Sequence, residues 1–170
     1  ESTLLARDLD GNLSTAEAYY DAVLNITWLA NANYAQTSGF DADGLMTWTT
    51  ANAWAAGLNP YGSGITGWRL PTVTDTGTPG CNFAYTGTDC GYNVNTATGE
   101  MAHLFYTTLG NKGRYNTSGV SQAGWGVSNS GQFSNILSGL PTDFYWSATE
   151  YAPNLSYAWG FVVTSGNQSY

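Results

Sequence analysis

The chain has 170 residues, 42% of them hydrophobic and 15% aromatic, with 9% charged and a formal net charge of −8. That length supports a sizeable core, and the aromatic content excludes a disordered chain. Four basic side chains against twelve acidic ones exclude nucleic acid and anionic membrane surfaces as partners, and no apolar run reaches the length of a membrane span.

Uncharged polar residues carry the surface instead, as they do in exported proteins. The start at Glu1 reads as a mature terminus left by signal-peptide removal. Thr3 to Leu5 reads as a first strand. Asp8, Asp10, Asn12 and Ser14 then alternate across a turn at Gly11, placing oxygen atoms at every second position as a calcium loop does. Asp and Asn also favour turns for local hydrogen-bonding reasons, so calcium and a plain Asx turn both stand. Residues 18–30 give two strands with a turn at Asp21 to Asn25. The loop 31–46 contains Asp41 and Asp43, a second acidic turn with the same two readings.

Thr47 caps a helix that runs to Leu58, with Trp48, Ala51, Trp54, Ala55 and Leu58 on one face. Gly67-Trp68-Arg69-Leu70-Pro71-Thr72 follows. Proline pushes Leu70 towards an extended conformation, so Trp68 to Leu70 reads as a short strand. A guanidinium between two large apolar residues reads as a buried structural clip formed by Arg69 and Trp68, paired with a carboxylate. A ligand-binding Arg69 is the other reading.

Residues 73–98 form a long polar excursion holding Cys81 and Cys90, the two cysteines of the chain. Metal-type Cys-x-x-Cys spacing is absent, which favours a local disulfide and an oxidising compartment. Thr98 caps a second helix over Gly99 to Leu109, with Glu100 in the first turn and Gly110 ending it. His103 falls opposite its apolar face and reads as a surface histidine. Residues 111–140 are irregular. Asp143 to Tyr151 and Tyr157 to Val163 form a β-hairpin turning at Pro153 and Asn154, and Gly166 begins another turn.

Three blocks carry a family likeness: the Thr47–Leu58 helix ahead of Trp68-Arg69-Leu70-Pro71, the helix with Glu100, Met101 and Leu104, and Tyr145-Trp146-Ser147-Ala148-Thr149-Glu150 followed by Ala158-Trp159. In this order they resemble the Lcl C-terminal domain family, found at the ends of collagen-like bacterial adhesins. The opening segment, with Leu24 to Ala30 and Phe40 to Gly44, looks like exported members with a C-terminal sorting tail in Gram-negative bacteria.

The resemblance implies an α+β, C-type-lectin-like fold, with two helices flanking small antiparallel sheets and a long irregular region, as a single domain over residues 1–170. It also implies a secreted, non-enzymatic surface or matrix module that binds glycan. Trp125, Glu150 and Asn154 are the candidate ligand-binding residues, since aromatics beside amides and carboxylates suit sugars. Asp8, Asp10, Asn12, Asp41 and Asp43 are the candidate calcium ligands. The formylglycine-generating branch of the fold is enzymatic and uses cysteine or metal chemistry. Here Cys81 and Cys90 read as structural, which argues against an enzyme. Family members continue past the last hairpin into a closing strand that this sequence does not show. The expectation is an open sheet edge beside Thr3 to Leu5: either the closing strand is cleaved or disordered and the protein is a monomer, or another copy fills the edge and the protein is a subunit of an extracellular filament or sheath.

Overall fold

The structure, a computed structural model, describes residues 4–78, 83–139 and 142–170. It is an α+β protein with two three-stranded antiparallel sheets and few helices. The sequence reading expects one domain; the contacts divide the chain into two compact units. One runs to Arg69 and includes Ser130–Leu137, and the other comprises Leu70–Asn129 and Ser138–Tyr170.

In the first unit, strands β1 (Leu4–Arg7), β2 (Ala18–Asp21) and β3 (Ile26–Leu29) pair in sequence order. The expected first strand is displaced: Thr3 lies outside the described residues, and pairing runs on to Arg7. The β2–β3 turn closes as its residues dictate. Asp21 Oδ1 accepts from the amides of Val23 and Leu24 at 3.0 and 3.2 Å, and Asn25 takes a left-handed φ of 55°. Leu4, Tyr19 and Ala30 form the buried core, with the Phe133 ring edge-on to Tyr19 at 6.0 Å.

Helix α1 is a single turn, Tyr34–Thr37, and α2 spans Trp48–Ala56. The predicted cap forms, with Thr47 Oγ1 accepting from the Thr50 amide at 3.3 Å. The buried face is narrower than expected. Ala51 and Ala55 are buried, while Trp48, Trp54 and Leu58 stay half-exposed. Small residues let the helix backbone lie close, which lifts the larger neighbours to the rim. The expected strand at Trp68 to Leu70 is not assigned as one.

In the second unit, β4 (Phe144–Glu150), β5 (Ala158–Val162) and β6 (Asn167–Ser169) pair in order. The predicted hairpin is β4–β5, and the turn at Gly166 leads into a third strand. The β4–β5 register shifts between Trp146 and Glu150. Trp159 and Phe161 are each 1% exposed and anchor the core. Tyr151 and Tyr170 stack on each other at 3.6 Å beside Trp159.

Helix α3 departs from expectation. Only Glu100–Ala102 is α-helical, and His103–Thr108 continues as a π turn. Gly99 holds the N-cap position without a side-chain bond, because Thr98 Oγ1 donates to Asn95 O instead. The π turn aims Tyr106 inward. Its hydroxyl donates to Gly166 O and accepts from the Asn93 amide, and burial pushes its pKa up to about 12.

Asp75 stitches the 73–78 segment to the β4–β5 hairpin. Its Oδ2 accepts from Trp159 Nε1 at 2.7 Å and the Ala152 amide at 2.6 Å, and its Oδ1 from the Gly77 amide at 2.7 Å. The expected Cys81–Cys90 pairing falls on Cys81, which lies outside the described residues; Cys90 is buried.

Candidate ligand-binding surfaces

The two acidic loops fold alike. Asp8 Oδ1 accepts from the amides of Asp10 and Gly11 at 3.1 and 2.8 Å, and Asp10 Oδ1 accepts from Asn12 at 2.8 Å. Asp41 Oδ1 accepts from Asp43 and Gly44 at 3.1 and 2.8 Å, and Asp43 Oδ1 from Leu45 at 2.9 Å. The shared Asp-x-Asp-Gly sequence explains the match. The leading aspartate of each loop satisfies amides two and three residues ahead, the second aspartate the amide two ahead, and glycine takes the positive φ that the turn needs.

The loops differ in their surroundings. Asp8, Asp10 and Glu17 offer oxygen atoms that all lie within 4.8 Å of one another. Glu17 is a residue the sequence reading missed, and it stands where Asn12 was expected to complete the set. Asn12 instead accepts from the Ser14 amide and hydroxyl. The Leu9 amide, donating at 3.0 Å, and the Thr15 hydroxyl hold the Glu17 carboxyl below its ordinary range. Glu17 lies seven residues beyond Asp10, outside the every-second-residue pattern of Asp8, Asp10, Asn12 and Ser14. Among the described residues, Asp41 and Asp43 gather no third carboxylate. The Asp43 and Gly44 amides hold the Asp41 carboxyl below its ordinary range.

A second surface forms around Arg114. Its guanidinium lies 5.4 Å from the Tyr115 ring centroid and 5.7 Å from that of Trp125. Tyr115 packs edge-on against Tyr92 and Tyr85 at 5.0 and 5.5 Å. Backbone bonds fix the segment: Arg114 N donates to Ser165 O, Gln122 N to Arg114 O, and Gly126 N to Lys112 O. Lys112 and Arg114 are both exposed, as is Trp125 at 43%. Neither cation makes an ion pair among the described residues. The result is an amphipathic platform with planar rings, two donors and open solvent.

The other candidate ligand residues stand apart. Glu150 ends β4, and Asn154 sits in the exposed β4–β5 loop, where its Oδ1 accepts from the Ser156 amide. No hydrogen bond or ring contact joins either to Trp125 among the described residues. The Asn154 side chain serves the turn through its bond with the Ser156 amide. Arg69 is exposed rather than buried, and half-buried Trp68 donates to Ile65 O at 3.1 Å. The expected burial of the Arg69 clip is therefore not met. His103 is half-buried rather than on the surface, and its Nε2 is buried without a hydrogen-bond partner among the described residues. The π turn takes it off the helical wheel that placed it outward.

Comparison with known proteins finds no matching family model, no matching curated protein and no matching solved structure.

Proposed function

We propose that this protein is a secreted, non-enzymatic, C-type-lectin-like surface module that binds carbohydrate on the platform of Trp125, Arg114 and Tyr115. The observation that carries the reading is Arg114 held across two aromatic rings, one of them an exposed tryptophan. Sugar rings present apolar C–H faces and polar edges. An indole face takes the first, and guanidinium and ammonium donors take the second. Two antiparallel sheets, few helices and the irregular stretch around residues 111–137 agree with the lectin-like reading. The reading carries with it a Cys81–Cys90 disulfide, as suits an oxidising compartment.

Glycan-array binding tests it. Trp125→Ala is expected to weaken the best glycan at least about tenfold, or 1.4 kcal/mol, because the stacking face is lost. Its stability should move by less than about 0.5 kcal/mol, since the residue lies outside the core. Unchanged binding by Trp125→Ala overturns the reading.

Calcium belongs to the same proposal, at Asp8, Asp10 and Glu17. Oxygen-only ligands at this spacing suit a hard cation. Binding to the folded state alone stabilises it by about 2.7 kcal/mol at a hundredfold excess over Kd. The melting temperature should therefore rise in calcium relative to chelator, and Glu17→Gln should abolish the rise. Identical melting curves remove the ion from the account.

A further inference from the structure

We propose that copies of this chain associate head to tail, the Asp41–Gly44 loop of one copy seating on the Lys112, Arg114 and Trp125 surface of the next. This goes beyond glycan binding, commits that surface to a protein partner as well, and is tested separately from it.

Charge is distributed unevenly along the chain. Seven of the twelve acidic residues lie between Glu1 and Asp43, and two of the four basic residues are Lys112 and Arg114. Those two cations are exposed and make no ion pair among the described residues. An unpaired cationic pair on so acidic a protein is where an anionic partner fits, and the chain carries that partner itself.

The loop has the matching chemistry. Asp43 is exposed, and the loop is flanked by Phe40 and Leu45, which are 55% and 41% exposed. The loop is also pre-formed. The amides of Phe40 and Asp41 both donate to Ala35 O, and Phe40 rests on Trp54 at 6.0 Å. A rigid loop loses little entropy on docking. Acidic groups between two apolar side chains face cations beside an exposed indole, so charge and apolar area complement together. Loop and platform are different surfaces, so each copy offers one of each to its neighbours.

The net charge of −8 opposes encounter over long range. At physiological ionic strength that repulsion is screened beyond roughly 8 Å, while contacting groups still attract.

A charge swap tests the proposal. One variant carries Lys112→Glu and Arg114→Glu. The other carries Ala42→Lys and Asp43→Lys, which spare the Asp41 oxygen that holds the turn. In sedimentation velocity at physiological ionic strength, the unaltered protein should show association that grows with concentration. Each variant alone should sediment as a monomer, and an equimolar mixture should associate again, because each reversed surface meets its reversed counterpart. A monomeric unaltered protein at high concentration overturns the proposal, as does association that survives in either variant or fails to return on mixing. At concentrations where the unaltered protein is monomeric, glycan binding by the Ala42→Lys, Asp43→Lys variant should match it. Loss of association with binding retained separates this contact from the carbohydrate reading.

Discussion

Replacing Trp159 by alanine is expected to destabilise the protein by about 3–5 kcal/mol, the range for removing a large aromatic from a core. The indole is 1% exposed and packs edge-on against Tyr151 and Tyr170 at 5.5 Å each. It also donates Nε1–H to Asp75. Cavity formation and the loss of one of the Asp75 carboxylate's three donors therefore act together. Denaturant unfolding of Trp159→Phe, Asp75→Ala and the double variant separates the two. Phenylalanine keeps most of the packing and loses only the donor, so the two single costs should sum to more than the cost of the pair.

The Asp75 carboxylate adds a pH dependence of stated sign. Burial alone would raise its pKa, but the Ala152 amide, the Trp159 indole and the Gly77 amide outweigh burial and hold it below the ordinary value. A carboxyl depressed in the folded state stabilises fully above its unfolded pKa, near 3.9 for aspartate, and loses that contribution as pH falls through the folded value. The stability lost on acidification below about pH 4 should thus be smaller in Asp75→Asn. An unchanged acid limb would show that Asp75 adds nothing to it.

Gly160→Ala should be the costliest single-methyl addition in the second sheet, about 1–3 kcal/mol by the usual penalty for overpacking. Gly160 stands in β5 between Trp146 of β4 and Ser169 of β6. A Cβ there would fall inside contact distance of the Phe144 ring and 2.8 Å from Tyr145 O. The ring lies across the glycine and meets Trp146 at 5.1 Å, so it would have to shift, and the Tyr145 carbonyl belongs to the paired strand and cannot yield as a side chain can. Thermal melting checks the cost, and a neutral substitution would mean that Phe144 moves freely.

Local signals in the sequence led to real elements where the deciding interactions are local. Thr47 caps α2 because hydroxyl and amide lie three residues apart. The β2–β3 turn follows from Asp21 and Asn25, and the β4–β5 hairpin from aromatic cross-strand pairs such as Tyr145 with Phe161. The misses depend on partners far along the chain. Trp68 to Leu70 has strand-like residues but no ladder. Asp75 meets Trp159 across 84 positions, and no short window shows that pair. At the acidic cluster, Asp8 and Asp10 were legible from alternation. Glu17 was not, since it joins them by bonding the Leu9 amide from the far side of the turn. The Arg114 platform was half legible: Trp125 stood out as an isolated aromatic, while the cation that completes it lies eleven residues earlier and meets it only once the chain folds back at Gly126.

The π turn at His103–Thr108 has a consequence for how this chain tolerates change in length. A π turn is an α-helix that has absorbed one surplus residue, so the segment holds a spare position. Removing one residue from it would let an ordinary α-helix continue with the chain beyond in place, but residues inside the turn, Tyr106 among them, would shift by about 100° around the helix. Tyr106 would swing away from Gly166 and the Asn93 amide, and the partly closed joint between this helix and the last turn would open. A deletion that improves the helix would thus loosen the protein. Relatives that carry the shorter form should lack a tyrosine at this position, since a straightened helix leaves its hydroxyl nothing to hold.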